Sequence, residues 1–141
     1  MSIPKQKLRE AVFYILFAKD FQESAAQDTT AMLMEVLEMS RSNVKLAWEK
    51  AESIFLKKEE IDTLLREYIT EYTLERVSSV ERNVLRLSAY ELLFDQEVHE
   101  VVAISEGVRL SRKFGSPEGA LFVNGVLDAL YKHQKAVAVT Q

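Results

Sequence analysis

The residues of this chain best suited to chemistry are cations and aromatics rather than nucleophiles or general bases. Lys5, Lys7 and Arg9 fall within the first nine residues, and no acid interrupts them. Such a cluster suits a small number of phosphate contacts. Phe13, Phe17 and Phe21 follow at i+4 spacing. A ring exposed beside cations is a stacking platform for a base, whereas a ring on an enclosed face is core. Core is the simpler reading of each. His99 and His133 lie far apart, the chain has no cysteine, and it contains neither an H-E-x-x-H metal motif nor a glycine-rich phosphate loop. Carboxylates are numerous, but none is singled out by its neighbours, and helical acids usually form a solvated face. These residues give no catalytic group, no metal site and no cofactor, so the chain reads as a binding protein rather than an enzyme.

The elements that must position these residues are helices. In residues 78–95, SSVERNVLRLSAYELLFD, the apolar side chains spread over most of the circumference. That pattern belongs to a helix enclosed by others. Ser78 and Glu81 form a capping box at its start. Its few polar residues, Glu81, Arg82, Asn83, Arg86, Ser88 and Glu91, must either reach solvent through gaps or find buried partners. Structural pairing is the simpler expectation for each.

Around this hub the sequence predicts amphipathic neighbours. Pro4 opens a helix running to about Phe21, with Leu8, Val12, Ile15 and Leu16 on one face and the three phenylalanines on another. Residues 22–30 read as a loop, with Asp28 or Thr29 capping a helix over 30–39. A third helix over 44–57 carries Trp48 as a core residue with its indole edge outward. A fourth over 59–72 buries Ile61, Leu64, Leu65, Tyr68, Ile69 and Tyr72. After a short polar connection containing His99, a helix from about Val101 ends at Gly115, a position suited to the left-handed conformation of a C-terminal cap. Ser116 and Pro117 start the last helix. Gly125 is costly in a helix interior and predicts close approach of another backbone there. The tail beyond Lys135 has no evident anchor.

Composition agrees with one helical domain. The chain has 141 residues, 48% hydrophobic content, four glycines and two prolines, enough length for a core without metal or disulfide. The absence of cysteine agrees with a reducing compartment, and no apolar window resembles a secretory signal or a membrane span. A soluble, cytoplasmic protein is expected. A net charge of −4 argues against a general nucleic-acid coat. The basic start on an acidic body fits limited phosphate contact together with a basic protein partner.

These same segments carry a resemblance. Leu85-Arg86-Leu87-Ser88-Ala89-Tyr90-Glu91-Leu92 resembles the signature helix of the NusB family, and Phe122-Val123-Asn124-Gly125-Val126-Leu127-Asp128 is similar to its C-terminal signature. Val102-Ala103-Ile104-Ser105-Glu106 and Lys113-Phe114-Gly115 fit the stretch between them. Leu8-Arg9-Glu10-Ala11 with Leu16-Phe17 fits the first helix, and Tyr72-Thr73-Leu74-Glu75-Arg76 the approach to the central one. The resemblance spans nearly the whole chain, weakly over residues 22–58 and strongly over 72–130. It implies an all-α, single-domain bundle of about seven helices around a central buried helix. The domain would cover residues 1–135, with sub-bundles over about 1–76 and 77–135, and residues 136–141 would form a tail.

The function implied is transcription antitermination. NusB-like proteins pair with ribosomal protein S ten, also called NusE, bind the boxA element of ribosomal RNA leader transcripts, and join RNA polymerase with other Nus factors. Carried over by position, Lys5, Lys7, Arg9, Phe17, Glu118 and Phe122 would contact or border single-stranded RNA, and Glu75, Glu81 and Arg86 would lie near the protein partner. Monomer and homodimer both remain open. The chain departs from the family in three places. Lys5-Gln6-Lys7 replaces a denser arginine run, which allows fewer bidentate phosphate contacts. Tyr72 stands for the usual tryptophan and Ser105 for the usual asparagine. Two alternatives are a free-standing accessory related to the RNA-targeting domain of ribosomal RNA cytosine methyltransferases, and a helical scaffold that binds only protein.

Overall fold

The computed structural model describes residues 3–21 and 26–140, side chains at 21 and 138–140 excepted. Among the described residues there are seven α-helices, one short 3-10 turn and no strand. The helices are α1 (Lys5–Phe21), α2 (Ala26–Val36), α3 (Arg41–Leu56), α4 (Lys58–Tyr68), α5 (Ser79–Phe94), α6 (Glu100–Phe114) and α7 (Pro117–Thr140), with the 3-10 turn at Leu74–Arg76. The all-α expectation therefore holds.

The chain divides into two compact units, Met1–Leu56 and Lys57–Gln141. The division falls ahead of α4, which packs on α5 and α7 and so belongs with the helices that follow it.

In the first unit α1, α2 and α3 pack pairwise. Ala11, Val12, Phe13, Ile15 and Leu16 of α1 and Val44, Ala47, Ala51 and Ile54 of α3 are buried, as helical spacing required. α2 begins at Ala26, earlier than the loop expected over 22–30, of which residues 22–25 lie outside the described residues. Ser40 caps α3, its Oγ accepting from the Asn43 amide at 3.2 Å. The half-buried Trp48 donates its indole N–H to Thr30 Oγ1 at 3.1 Å, which satisfies the one polar atom of an otherwise apolar ring.

In the second unit α5 is the hub, packed against α4, α6 and α7. Asn83, Val84, Leu85, Arg86, Leu87, Ser88, Ala89 and Glu91 are all buried, so the helix is enclosed on nearly every side. Ser78 Oγ accepts from the Glu81 amide at 3.3 Å, the forward half of the expected capping box. Several of the polar residues find partners, whereas the buried hydroxyl of Ser88 has no hydrogen-bond partner. Arg86 donates from Nε to Asp62 Oδ1 at 2.9 Å and from Nη2 to Asp62 Oδ2 at 3.0 Å. Its Nη1 donates to Asn83 Oδ1 at 3.2 Å, and Asn83 Nδ2 donates to the Ser79 carbonyl at 2.8 Å. Arg82 donates from Nη1 to the Val77 carbonyl at 2.9 Å. A bidentate buried pair of this kind is strong while both members remain and costly once one is removed.

Three local expectations are corrected. Gly115 has φ −124°, outside the left-handed region. It is glycine because a β-carbon there would come 2.9 Å from the Ser111 carbonyl oxygen and 3.2 Å from Val80 Cγ1. Gly125 faces open space, with nothing within 4 Å of a β-carbon built on it. The close approaches lie at Gly107, where a β-carbon would fall 2.5 Å from Ser88 Oγ, and at Gly119, where it would overlap the Glu81 carboxylate. Finally, α7 runs on through the stretch read as a tail, to Thr140.

Candidate nucleic-acid and partner interface

The residues named from the sequence are divided between the two units. On α1 of the first unit, Lys5 is exposed and Lys7 half-buried. Arg9 is only 6% exposed and is held by contacts within the protein, so it is not a free surface cation. A buried, engaged guanidinium must break its contacts before it can reach a phosphate. Phe17 is half-buried, its ring 5.7 Å from that of buried Phe13. Phe21, which shared that face in the sequence reading, has a side chain outside the described residues.

In the second unit the start of α7 presents Glu118 and Phe122 one turn apart. Ser116 caps this helix, its Oγ accepting from the Gly119 amide at 3.0 Å, so the cap fixes the turn that carries Glu118. Glu118 is exposed and Phe122 half-buried. The ring of Phe122 stacks on Tyr72, with centroids 5.7 Å apart and planes inclined by 21°. Tyr72 was expected inside a helix. α4 instead ends at Tyr68, and Tyr72 lies in the segment between α4 and the 3-10 turn, 41% exposed. This partly exposed aromatic pair is an available stacking surface.

Tyr72 also lines a recess of about 410 Å³ with Arg66, Ile69, Thr70, Thr73, Leu74 and Glu75. Arg66 Nη2 donates to Glu75 Oε1 at 2.7 Å across it. The hydrogen bond from Arg66 is the main reason that the Glu75 carboxyl titrates below its ordinary range and the Arg66 guanidinium above. Both side chains are largely exposed, so the pair is accessible to a partner and contributes little to stability. Arg66 was not among the residues singled out in the sequence. A lone arginine on an amphipathic helix carries no local signal, and only the return of the chain through the 3-10 turn brings Glu75 to it.

Glu81 sits at the start of α5 beside Gly119 of α7, half-buried, and desolvation pushes its carboxyl above the usual range. Arg86 was expected near the partner surface, but its side chain is 8% exposed and clasped by Asp62. A residue so enclosed positions helices α4 and α5 and offers no charge to a partner. Tyr72, Glu75, Glu81, Glu118 and Phe122 are thus surface groups of the second unit, whereas Arg86 belongs to its interior. Among the described residues no cluster of His, Asp or Glu could hold a metal ion, and no helix is long and apolar enough to cross a membrane.

The comparisons with known proteins agree with the pattern of helices. The sequence profile of the NusB family matches residues 6–132. The transcription antitermination protein NusB of Syntrophomonas wolfei is 32% identical over 126 residues, covering 89% of this chain and 94% of that protein. The protein of the same name from Clostridium perfringens strain SM101 is 31% identical over 131 residues, covering 92% and 97%. Among solved structures, T. maritima NusB superposes with a TM-score of 0.79 at 34% identity, covering 94% of this chain and 93% of that one. A chain in a crystal structure of the antitermination factors NusB and NusE in complex with double-stranded RNA superposes with a TM-score of 0.78 at 25% identity, covering 92% and 96%. With its helices, its enclosed α5 and these matches over most of its length, the chain belongs to the NusB family.

Proposed function

We propose that this chain is a non-enzymatic transcription antitermination factor that pairs with ribosomal protein S ten (NusE) and binds boxA-type RNA of ribosomal RNA leaders in the cytoplasm. The observation that carries the reading is the likeness, over 92% of the chain, to a protein seen in complex with NusE and RNA. Curated relatives named as antitermination proteins, matched over nearly their whole length, favour this reading over a methyltransferase accessory domain or a purely protein-binding scaffold. Lys5 and Lys7 supply charge for phosphates. The Tyr72–Phe122 pair supplies a ring face for an unstacked base, with Glu118 at its border, and Phe17 of the first unit is a further RNA-facing candidate. Glu75 with Arg66, and Glu81, offer charge to the basic ribosomal protein. Arg9 takes part as a brace of α1, and Arg86 as a brace of α5.

Filter binding of boxA RNA against a scrambled RNA, with and without NusE, tests the reading. The expected result is preference for boxA that strengthens when NusE is present, and a loss on Phe122→Ala of about tenfold or more, the value of one stacked base. Equal binding of both RNAs in the presence of NusE would sink it.

A further inference from the structure

The recess beside Tyr72 contains a cation that is committed to its own neighbour. Arg66 lies in the last turn of α4 and Glu75 in the 3-10 turn, and both line the recess with Tyr72. Guanidinium and carboxylate meet at 2.7 Å, with the two side chains 49% and 67% exposed. An ion pair so open to water is screened and exchanges partners at little cost. The backbone beneath it is held separately. Arg82 of α5 donates from Nη1 to the carbonyl of Glu75 at 3.2 Å and to that of Val77 at 2.9 Å. The turn therefore stays on α5 when the Glu75 carboxylate swings outward.

The surroundings identify what Arg66 binds once Glu75 has left. Tyr72 stacks on Phe122, so a base laid on that pair brings its sugar and phosphate to the edge of the same recess. A guanidinium matches phosphate oxygens with paired N–H donors. Exposed Thr70 and Thr73 line the recess as well and add neutral hydroxyl donors. The charged lining residues are Arg66 and Glu75. With Glu75 in place their charges balance, and the carboxylate repels a phosphate; with Glu75 drawn away the recess becomes cationic.

We propose that Arg66 is a phosphate-binding residue of the RNA surface, held by Glu75 in the unbound chain and released to RNA when the basic protein partner takes Glu75. This deepens the function proposed above and rests on it. One exposed carboxylate thereby links the two binding events, since the partner that removes it completes the site for the RNA.

Filter binding of boxA RNA by the intact protein, alone and with saturating NusE, over a salt series tests the proposal. Arg66→Gln should cost about tenfold more affinity with NusE bound than without it, the value of one charge-assisted contact. With NusE bound, it should also make the slope of log affinity against log salt shallower by about 0.7, as one phosphate on a single strand requires. Glu75→Gln should raise the RNA affinity of the chain alone, and most of that gain should disappear when Arg66→Gln is added. Coupling between two ligands is reciprocal, so boxA should tighten NusE binding about tenfold more in the parent protein than in Arg66→Gln. Melting temperatures measured alongside confirm that each variant is folded. Where the parent prefers boxA to scrambled RNA, equal losses on Arg66→Gln with and without NusE would overturn the proposal and leave the antitermination reading intact. So would a gain from Glu75→Gln that survives Arg66→Gln in full. A parent without that preference sinks the reading itself, and the proposal with it.

Discussion

At the scale of single residues, the second unit depends on a few buried or half-buried charges. The Asp62 carboxylate is the bidentate acceptor for Arg86, and both side chains are almost wholly enclosed. Asp62→Ala should cost about 3–5 kcal/mol in denaturant unfolding, because it strands a guanidinium in the interior. Glu81 and Glu75 respond to pH in opposite senses. Desolvation raises the Glu81 carboxyl, so the folded protein holds that proton more tightly than the unfolded chain does. Its contribution to stability is full below the ordinary carboxylate range and is lost as pH rises through the raised value. Glu81→Gln should therefore be the more stable protein at neutral pH, with the difference vanishing in acid, as read from melting temperatures across a pH series. The carboxyl of Glu75 is depressed chiefly by its hydrogen bond from Arg66, so the support from that pair is present at neutral pH and fades as acid protonates it.

At the scale of elements, two helix glycines show how packing and propensity diverge. Gly107 of α6 lies against α5, where an added β-carbon would meet Ser88 Oγ at 2.5 Å and the Leu127 side chain at 3.0 Å. Gly107→Ala should destabilise the protein by about 1–3 kcal/mol through overpacking. Gly125 of α7 is exposed and meets nothing. Gly125→Ala should stabilise by up to about 1 kcal/mol, since it adds helix propensity and restricts the unfolded chain. The same unfolding assay reads both, and equal effects would contradict the packing described. The periodicity of apolar residues located each of the seven helices found among the described residues, because amphipathic spacing is written locally. It overran the end of α4 at Tyr72, because an aromatic residue fits a helical stripe equally well when it leaves the helix to meet Phe122. His99 read only as part of a polar connection, yet its Nδ1 accepts from the Val101 amide at 3.2 Å and caps α6.

At the scale of the whole molecule, a net charge of −4 means that RNA must be held by a few local cations against a repelling body. With only Lys5 and Lys7 as accessible cations of the expected N-terminal cluster, the logarithm of boxA affinity should fall with the logarithm of salt with a shallow slope. For two phosphates on a single strand that slope is about −1.4. Lys5→Ala with Lys7→Ala should flatten it and leave the melting temperature unchanged. An unaltered slope would move the phosphate contacts away from the start of α1.

The sequence by itself determined the helical class, the enclosure of α5 and the family, since all three rest on residue type and spacing along the chain. Only the tertiary structure decided which polar residues are buried and which are available. It withdrew Arg9 and Arg86 from the surface, put the close approach expected at Gly125 at Gly107 and Gly119 instead, and brought Tyr72 to Phe122 across 50 residues. Those outcomes depend on which helix faces meet, and that is settled by packing between segments remote in sequence rather than by the pattern within any one of them.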